Sequence, residues 1–321
     1  MQSLVVGGSA KQIIESRQVA NMCGIVGLFL KTPRHEQELG LLAARMLEQM
    51  RDRGLDSAGF AVYSDDDPGR VKITVLAEGF EADWDGARAG LATALGASVS
   101  LERIHDHATF TTGGDGRAAR QWLIENVHGA TVLSYGHAIE LFKAVGDPRG
   151  VAERYGLAQR TGTHAIAHTR MATESAVTTN GSHPFSTGAD TCLVHNGSLS
   201  NYNRLREVLE NKGETFQTEN DSEVAAGYLS WRLHEGDTIG EALERSLDDL
   251  DGFYTFAVGV RDGFAVLRDP IACKPGVIAE TDDWVAMSSE FRGIAVLPGA
   301  NDADIWEPAP AVVYTWSRES L

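Results

Sequence analysis

Residues 23–30 have the sequence CGIVGLFL, and this stretch decides the fold. It is apolar and lacks a helical period, which is typical of a strand that is buried on both faces. Further along, apolar residues recur at a helix-like spacing between Leu39 and Met50, and Gly54 ends that pattern. From Cys23 onward, the sequence thus predicts a buried strand and then a helix.

The rest of the chain contains groups of strands and groups of helices. Strands are predicted at 60–63, 71–76, 131–135, 163–172, 191–195, 253–260, 263–267, 284–287 and 312–316. The strand at 191–195 is expected to end at Asn196-Gly197. Helices are predicted at 84–95, 118–127, 199–211, 222–234 and 238–247, with Asp221 as the N-cap of the fourth. This clustering favours a layered α+β domain over a parallel Rossmann sheet.

The composition narrows the classes of function. Of the 321 residues, 43% are hydrophobic and 23% are charged, which is ordinary for a globular protein with a sizeable core. The net charge of −17 argues against nucleic acid as a partner, because phosphate binding needs a basic surface. No run approaches the roughly 18 apolar residues of a membrane-spanning helix, and residues 1–22 lack the apolar core of a secretory signal. We therefore expect a cytoplasmic protein.

The cysteines and histidines indicate no metal site and no cofactor. Cys23, Cys192 and Cys273 are too few and too scattered for a disulfide framework or a zinc site. An isolated cysteine is usually a small buried hydrophobic residue. A catalytic role for any of the three therefore needs a further argument.

Cys23 gains such an argument if it is the first residue of the active chain. A free α-amine, with a pKa of about 7.7–8.0, would then lie beside a thiol with a pKa of about 8.5. One residue would supply both the nucleophile and its base. An internal Cys23 has an amide nitrogen, which cannot act as a base. The chemistry thus predicts that residues 1–22 are absent from the active protein, because translation begins at Met22 or because a propeptide is cleaved after Met22.

Six short motifs follow one another along the chain. In order, they are MCGIVGLF (22–29), RDRGLDSAG (51–59), HTRMAT (168–173), SHPF (182–185), VHNGSLSNY (194–202) and NDSEV (220–224). Each motif is weak alone, since Asn-Gly is usually only a turn, but the ordered set is specific. Together they resemble the class II glutamine amidotransferases, whose nucleophile is an amino-terminal cysteine.

This resemblance implies a fold and an activity. The fold is that of the N-terminal-nucleophile (Ntn) hydrolases, an αββα sandwich of two antiparallel sheets between helices. The activity is hydrolysis of glutamine to glutamate and ammonia through a thioester on Cys23. The Asn196 side chain and the Gly197 N–H would form the oxyanion hole. Arg170 would bind the α-carboxylate of glutamine, and Asp221 its α-ammonium group.

The resemblance also assigns residues around these groups. Thr173 and His183 would form part of the pocket wall, and Arg53 and Asp56 would support the loop of the nucleophile. The implied domain spans residues 23–300, with an insertion at about 79–162 and a C-terminal strand or tail at 301–321. Within the family, the chain is similar to the GlxB type, to the amidotransferase domain of glutamate synthase and to the small subunit of N-methylglutamate synthase. A synthase subunit that accepts the ammonia is the expected partner.

Two alternatives remain open at this point. The chain could be another Ntn amidohydrolase, such as an acylase, or a non-catalytic scaffold subunit that retains the fold. Taken singly, Arg170 could form a surface ion pair and Asp221 could be only a helix cap. As a pair, they suit a zwitterionic amino acid better than an acyl chain.

Overall fold

The structure, a computed structural model, describes residues 23–64, 67–77, 82–171 and 177–318. The strands in these ranges are β1 (Gly24–Leu30), β2 (Ser57–Tyr63), β3 (Val71–Leu76), β4 (Val99–Ile104), β5 (His107–Thr112), β6 (Thr131–Gly136), β7 (Ile139–Val145), β8 (His164–Arg170), β9 (Cys192–Leu199), β10 (Gly252–Val260), β11 (Gly263–Arg268), β12 (Val277–Glu280), β13 (Trp284–Ser288), β14 (Asp304–Trp306) and β15 (Val313–Ser317). The helices are α1 (Leu39–Gln49), α2 (Trp84–Leu95), α3 (Gly116–Asn126), α4 (Pro148–Arg154), α5 (Tyr202–Glu210), α6 (Asp221–His234), α7 (Ile239–Asp249) and α8 (Phe291–Ile294). No helix in these ranges is long and apolar enough to cross a membrane.

Two antiparallel sheets form the centre of the fold. The larger has the strand order β14-β12-β13-β1-β8-β2-β7, and the smaller has the order β15-β11-β10-β9. Alternation along β1 explains how they stack, since successive side chains of a strand point to opposite faces. Val26 and Leu28 pack with α1, whereas Ile25 and Phe29 pack with the inner face of the smaller sheet.

Helices cover the outer face of each sheet. Leu42 and Met46 of α1 lie in the core on one side, and Val224 of α6 and Leu243 of α7 lie in the core on the other. The layers are therefore helix, sheet, sheet and helix, which confirms the predicted αββα architecture. The predicted buried strand β1 is confirmed as well, because all seven of its residues are buried.

A third sheet belongs to a smaller unit between β2 and β7. Its strand order is β4-β5-β3-β6, and α2 and α3 pack on one face around Trp84 and Phe110. The chain order βαββαβ with this strand order is that of a split βαβ, or ferredoxin-like, unit. Its β3 and β6 lie against β7, the edge strand of the large sheet. The expected insertion at about 79–162 covers most of this unit and also β7 and α4.

Two local predictions are wrong. The strand β9 does not end at Asn196-Gly197 but continues to Leu199, because both residues pair with β10. The N-cap of α6 is Asn220, whose side chain accepts the Ser222 N–H at 2.9 Å, and not Asp221, which is the first helical residue. The Asp221 carboxylate is consequently available for another contact.

Candidate active site

The main chain of Cys23 is the point at which several predicted site residues meet. Cys23 immediately precedes β1 and is partly buried. Its carbonyl oxygen accepts a hydrogen bond from Asn196 Nδ2 at 2.8 Å and another from Arg53 Nε at 3.0 Å. Residues from two distant motifs therefore fix the carbonyl group of Cys23, directly before β1.

The Cys23 thiol lies at the end of β8. Its Sγ is 3.8 Å from the carbonyl oxygen of Met171, the residue after Arg170. Burial raises the pKa of the Cys23 thiol, and the Met171 backbone and the positive charge of Arg170 only partly oppose this rise. Near neutral pH the thiol is therefore protonated, so that its use as a nucleophile requires a base.

The start of β1 is held from both sides. Gly24 N–H donates to Thr169 Oγ1 at 3.1 Å, and Ile25 N–H donates to Ser289 Oγ at 2.9 Å. A Cβ atom on Gly24 would lie 2.8 Å from Thr169 Oγ1 and from Met50 Cβ, so only glycine fits beside the nucleophile. Sequence reasoning missed Ser289, although a Ser-Ser-Glu segment at the end of a buried strand was a usable signal.

His168 fixes the orientation of the Asn196 amide. Its Nε2 lies 3.1 Å from the carbonyl oxygen of His195 and 3.3 Å from Asn196 Oδ1. Both partners are acceptors, so we assign the proton to Nε2. Burial lowers the pKa of His168 to about 3, which keeps the ring neutral. Since Oδ1 points to His168, the Nδ2 group points to Cys23 and to Ser289, whose Oγ is 3.2 Å away.

The backbone conformation at position 197 requires a glycine. Gly197 lies in β9 opposite Tyr254, has a φ of 147° and is exposed. A Cβ atom at this position would be 1.9 Å from the Phe253 carbonyl oxygen and 2.8 Å from His195 Nε2. A side chain here would thus force β9 and β10 apart next to Asn196.

Arg53 is anchored by an ion pair. Its side chain is 7% exposed, and its guanidinium contacts Glu290 at 2.5 Å while Nε bonds to Cys23. Glu290 also contacts Arg292 Nε at 2.9 Å. Asp56, in the same motif as Arg53, donates its backbone N–H to the carbonyl oxygen of Arg170 at 3.1 Å. Both motif residues thus contribute to the position of the elements around Cys23.

The two residues expected to hold an amino acid, Arg170 and Asp221, are linked through contacts with Gly181. Arg170 ends β8 and is 8% exposed, and a Cβ atom on Gly181 would lie 3.9 Å from its NH1 atom. The same Gly181 accepts a bond from Asn220 Nδ2 at 3.3 Å, beside Asp221. Asp221 Oδ2 accepts the Leu199 N–H at 2.9 Å.

His183 lies in this loop and contacts the start of α6. Its Nε2 is 3.2 Å from Ser222 Oγ, which is also 2.8 Å from His195 Nδ1. Its ring stacks on His168 with centroids 4.1 Å apart. Burial lowers the pKa of His183 and of His195, so this cluster is uncharged at neutral pH. Thr173 and residues 1–22, to which the sequence analysis gave a role, lie outside the described residues.

Comparison with known proteins identifies the family of the chain. The sequence profile described as "Glutamine amidotransferase domain" matches residues 168–295. The glutamine amidotransferase-like protein GlxB of Rhizobium meliloti is 48% identical over 301 residues, which are 93% of this chain and 99% of that protein. The chain belongs to the glutamine amidotransferase family. The GlxB-type assignment is thereby confirmed.

More distant relatives share parts of this amidotransferase. An amidophosphoribosyltransferase of Archaeoglobus fulgidus is 36% identical over 156 residues, 47% of this chain and 34% of that protein. The solved glutamine phosphoribosylpyrophosphate amidotransferase of B. subtilis superposes with a TM-score of 0.57 at 19% identity, covering 92% of this chain and 49% of that one. At that identity the superposition shows that the two chains share a fold.

Proposed function

We propose that Cys23 is the amino-terminal nucleophile of this glutamine amidotransferase and that catalysis proceeds through a γ-glutamyl thioester. The observation that carries the proposal is the convergence of Asn196 and Arg53 on the Cys23 main chain, next to a thiol that burial keeps protonated. A protonated thiol needs a base, and a free α-amine on the same residue provides one.

The proposed reaction has two halves. The α-amine of Cys23 takes the thiol proton as Sγ forms a bond to the amide carbon of glutamine, and the negative charge moves to the amide oxygen. The carbon–nitrogen bond then breaks, and the ammonium proton is returned to the departing ammonia. In the second half, water attacks the thioester carbon while the free α-amine accepts one of its protons. The sulfur–carbon bond then breaks, the amine returns that proton to the sulfur, and glutamate and the free thiol are released.

The roles of the other residues follow from their positions. The Asn196 amide and the Gly197 N–H are proposed to stabilise the negative charge on the oxygen, since Asn196 already points at the residue that carries the attacking sulfur. Arg170, with its planar guanidinium, is proposed to bind the α-carboxylate of glutamine, and Asp221 the α-ammonium group. His183 and Thr173 are proposed as pocket wall.

The proposal requires that residues 1–22 be removed. With Met22 attached, the nitrogen of Cys23 is an amide and cannot accept the thiol proton. The test is the intact mass of an active preparation from the native host. We expect a chain that begins at Cys23, and an active preparation that still begins at Met1 would refute the free-amine mechanism.

We further propose that the ammonia passes to a synthase subunit in the cytoplasm. The likeness to a protein named as glutamine amidotransferase-like supports an activity that releases ammonia for transfer to an acceptor. Affinity purification of the tagged chain from its host should recover a synthase whose glutamine-dependent reaction requires this chain. If the purified chain instead hydrolyses a different amide and leaves glutamine intact, the alternative of another Ntn amidohydrolase replaces this proposal.

A further inference from the structure

Lys143 is a buried cation outside every motif discussed so far. It lies in β7, opposite Gly59 of β2, and is 4% exposed. A buried ammonium group is costly unless its N–H groups are all satisfied. Its placement therefore needs a structural or functional reason.

The three N–H groups of Lys143 are directed at one loop. Nζ lies 2.9 Å from the carbonyl oxygen of Asn180, 2.9 Å from that of Ser182 and 3.4 Å from that of Pro184. An ammonium group has three donors, so these contacts can use all of them. The ring of Phe185 lies 4.5 Å from the same Nζ. Three carbonyl dipoles that point at one position would repel one another without a cation between them.

The loop that Lys143 contacts lies in the connection from β8, which ends at Arg170, to β9, and it packs against the start of α6. Gly181 lies beside the Arg170 guanidinium and accepts a hydrogen bond from Asn220. His183 contacts Ser222, the residue after Asp221. Gly181 and His183 thus alternate along the chain with the residues 180, 182 and 184, whose carbonyl groups contact Lys143.

Contacts with β2 restrict the position of this loop. A Cβ atom on Gly59 would be 2.3 Å from the His183 carbonyl oxygen and 2.5 Å from Lys143 Cβ, so the loop lies directly against β2. The backbone of Lys143 is also held on the side of the ferredoxin-like unit, where its N–H is 3.4 Å from His107 Nε2. Burial lowers the pKa of Lys143 to about 8, which leaves it mostly charged at neutral pH.

We propose that Lys143 is a positioning residue for glutamine binding: its ammonium group gathers the carbonyl oxygens of residues 180, 182 and 184 and thereby sets the spacing between Arg170 and Asp221. The inference rests on the proposed glutamine-binding roles of those two residues. Lys143 does not touch the Cys23 carbonyl or the Asn196 amide in any contact described above. Its loss should therefore affect binding of glutamine more than the chemical step.

The test compares Lys143→Met with Lys72→Met in the mature enzyme. Lys72 is a matched control because it is also a largely buried lysine, but it contacts Ser64 and Glu140 instead of the loop. We expect Lys143→Met to raise the KM for glutamine roughly tenfold with kcat changed much less, and Lys72→Met to leave KM unchanged. Lys143→Gln, which keeps N–H donors, should recover part of the loss.

The outcomes separate this inference from the proposed function. A folded Lys143→Met enzyme with the wild-type KM, or with a reduced kcat alone, would overturn the positioning role. If Lys143→Met does not fold, Lys143→Gln is judged by the same KM criterion. The nucleophile is tested separately in the wild type by covalent labelling of Cys23, so that failure of either idea leaves the other measurable.

Discussion

Asn196 Nδ2 donates to the carbonyl oxygen of Cys23 at 2.8 Å, although 173 residues separate the two in sequence. The contact joins the middle of β9 in the smaller sheet to the residue before β1 in the larger one. Because His168 holds Oδ1 on the other side, the amide has one orientation. The proposed oxyanion donor is thus positioned before glutamine binds, as electrostatic stabilisation of a transition state requires.

Replacement of Asn196 by alanine should lower kcat for glutamine hydrolysis by about 10²–10³ and change KM little. The donor acts on charge that develops only in the transition state, so binding of the substrate does not depend on it. Steady-state glutamate formation measures both constants. Asn126→Ala, in α3 of the ferredoxin-like unit, is the control. A raised KM with an unchanged kcat would assign Asn196 to substrate binding instead.

Arg170→Ala and Asp221→Ala should raise the KM for glutamine, in contrast to Asn196→Ala, which should lower kcat. Each removes a charged partner of the substrate zwitterion, which is worth a few kcal/mol, so we expect KM to rise by about 10- to 100-fold. Arg34→Ala serves as a control, because Arg34 forms an exposed pair with Asp283 away from Cys23. Unchanged KM values in both site variants would show that other groups recognise the amino-acid end of glutamine.

Local patterns in the sequence were sufficient to predict several elements of the fold. The apolar run after Cys23 predicted β1, and the predicted bounds of α2 and β3 agree with the structure. The cap of α6 could not be assigned in the same way. Asn220 and Asp221 are both good N-cap residues, and the choice depends on the Leu199 N–H, which lies 22 residues away and bonds to Asp221.

Long-range partners explain what the sequence could not predict. Ser289 supports β1 through Ile25, which is 264 residues away. The Ser-Ser-Glu segment draws attention to a polar residue at the end of a buried strand, but it does not identify the partner of that residue. Lys143 lies in a strand-like segment that resembles any half-buried strand, and its importance depends on carbonyl groups 37 to 41 residues further on. Residue type identifies a nucleophile or a cation, but only the fold identifies the backbone group that it contacts.

Ser289→Ala should lower both stability and kcat. Ser289 Oγ accepts the Ile25 N–H and lies within hydrogen-bond distance of Asn196 Nδ2, and its loss leaves a buried N–H without that partner. We expect a fall of about 1–3 kcal/mol in the free energy of unfolding, measured by urea denaturation. Ser100→Ala, at an exposed position in β4, should have almost no effect. Equal stability of the two variants would contradict a supporting role for Ser289.

Acid should destabilise the protein before its carboxylates titrate. Burial lowers the pKa of His164 and of His168 to about 3, whereas an unfolded histidine titrates near 6.5. Between these values the unfolded chain binds protons that the folded chain does not. The free energy of unfolding therefore falls as the pH drops from about 6.5 towards 3, by up to about 1.4 kcal/mol per pH unit for each histidine.

Urea denaturation at pH 7, 6 and 5 measures this slope. His164→Phe should reduce the slope by the contribution of His164, because it removes that titrating group. The substitution keeps an aromatic ring next to Tyr63, on which the His164 ring stacks. His128→Phe, at an exposed position, should leave the slope as it is. An identical pH dependence of the wild type and His164→Phe would show that His164 contributes nothing to acid unfolding.

Covalent labelling tests the central claim most directly. The glutamine analogue 6-diazo-5-oxo-norleucine alkylates a nucleophile that attacks the glutamine position, and peptide mapping then locates the modified residue. We predict that the active enzyme carries the label on Cys23 alone, that excess glutamine protects it, and that Cys23→Ala is neither labelled nor active. A label on buried Cys192 or exposed Cys273, or glutamine hydrolysis by Cys23→Ala at the wild-type rate, would contradict the account.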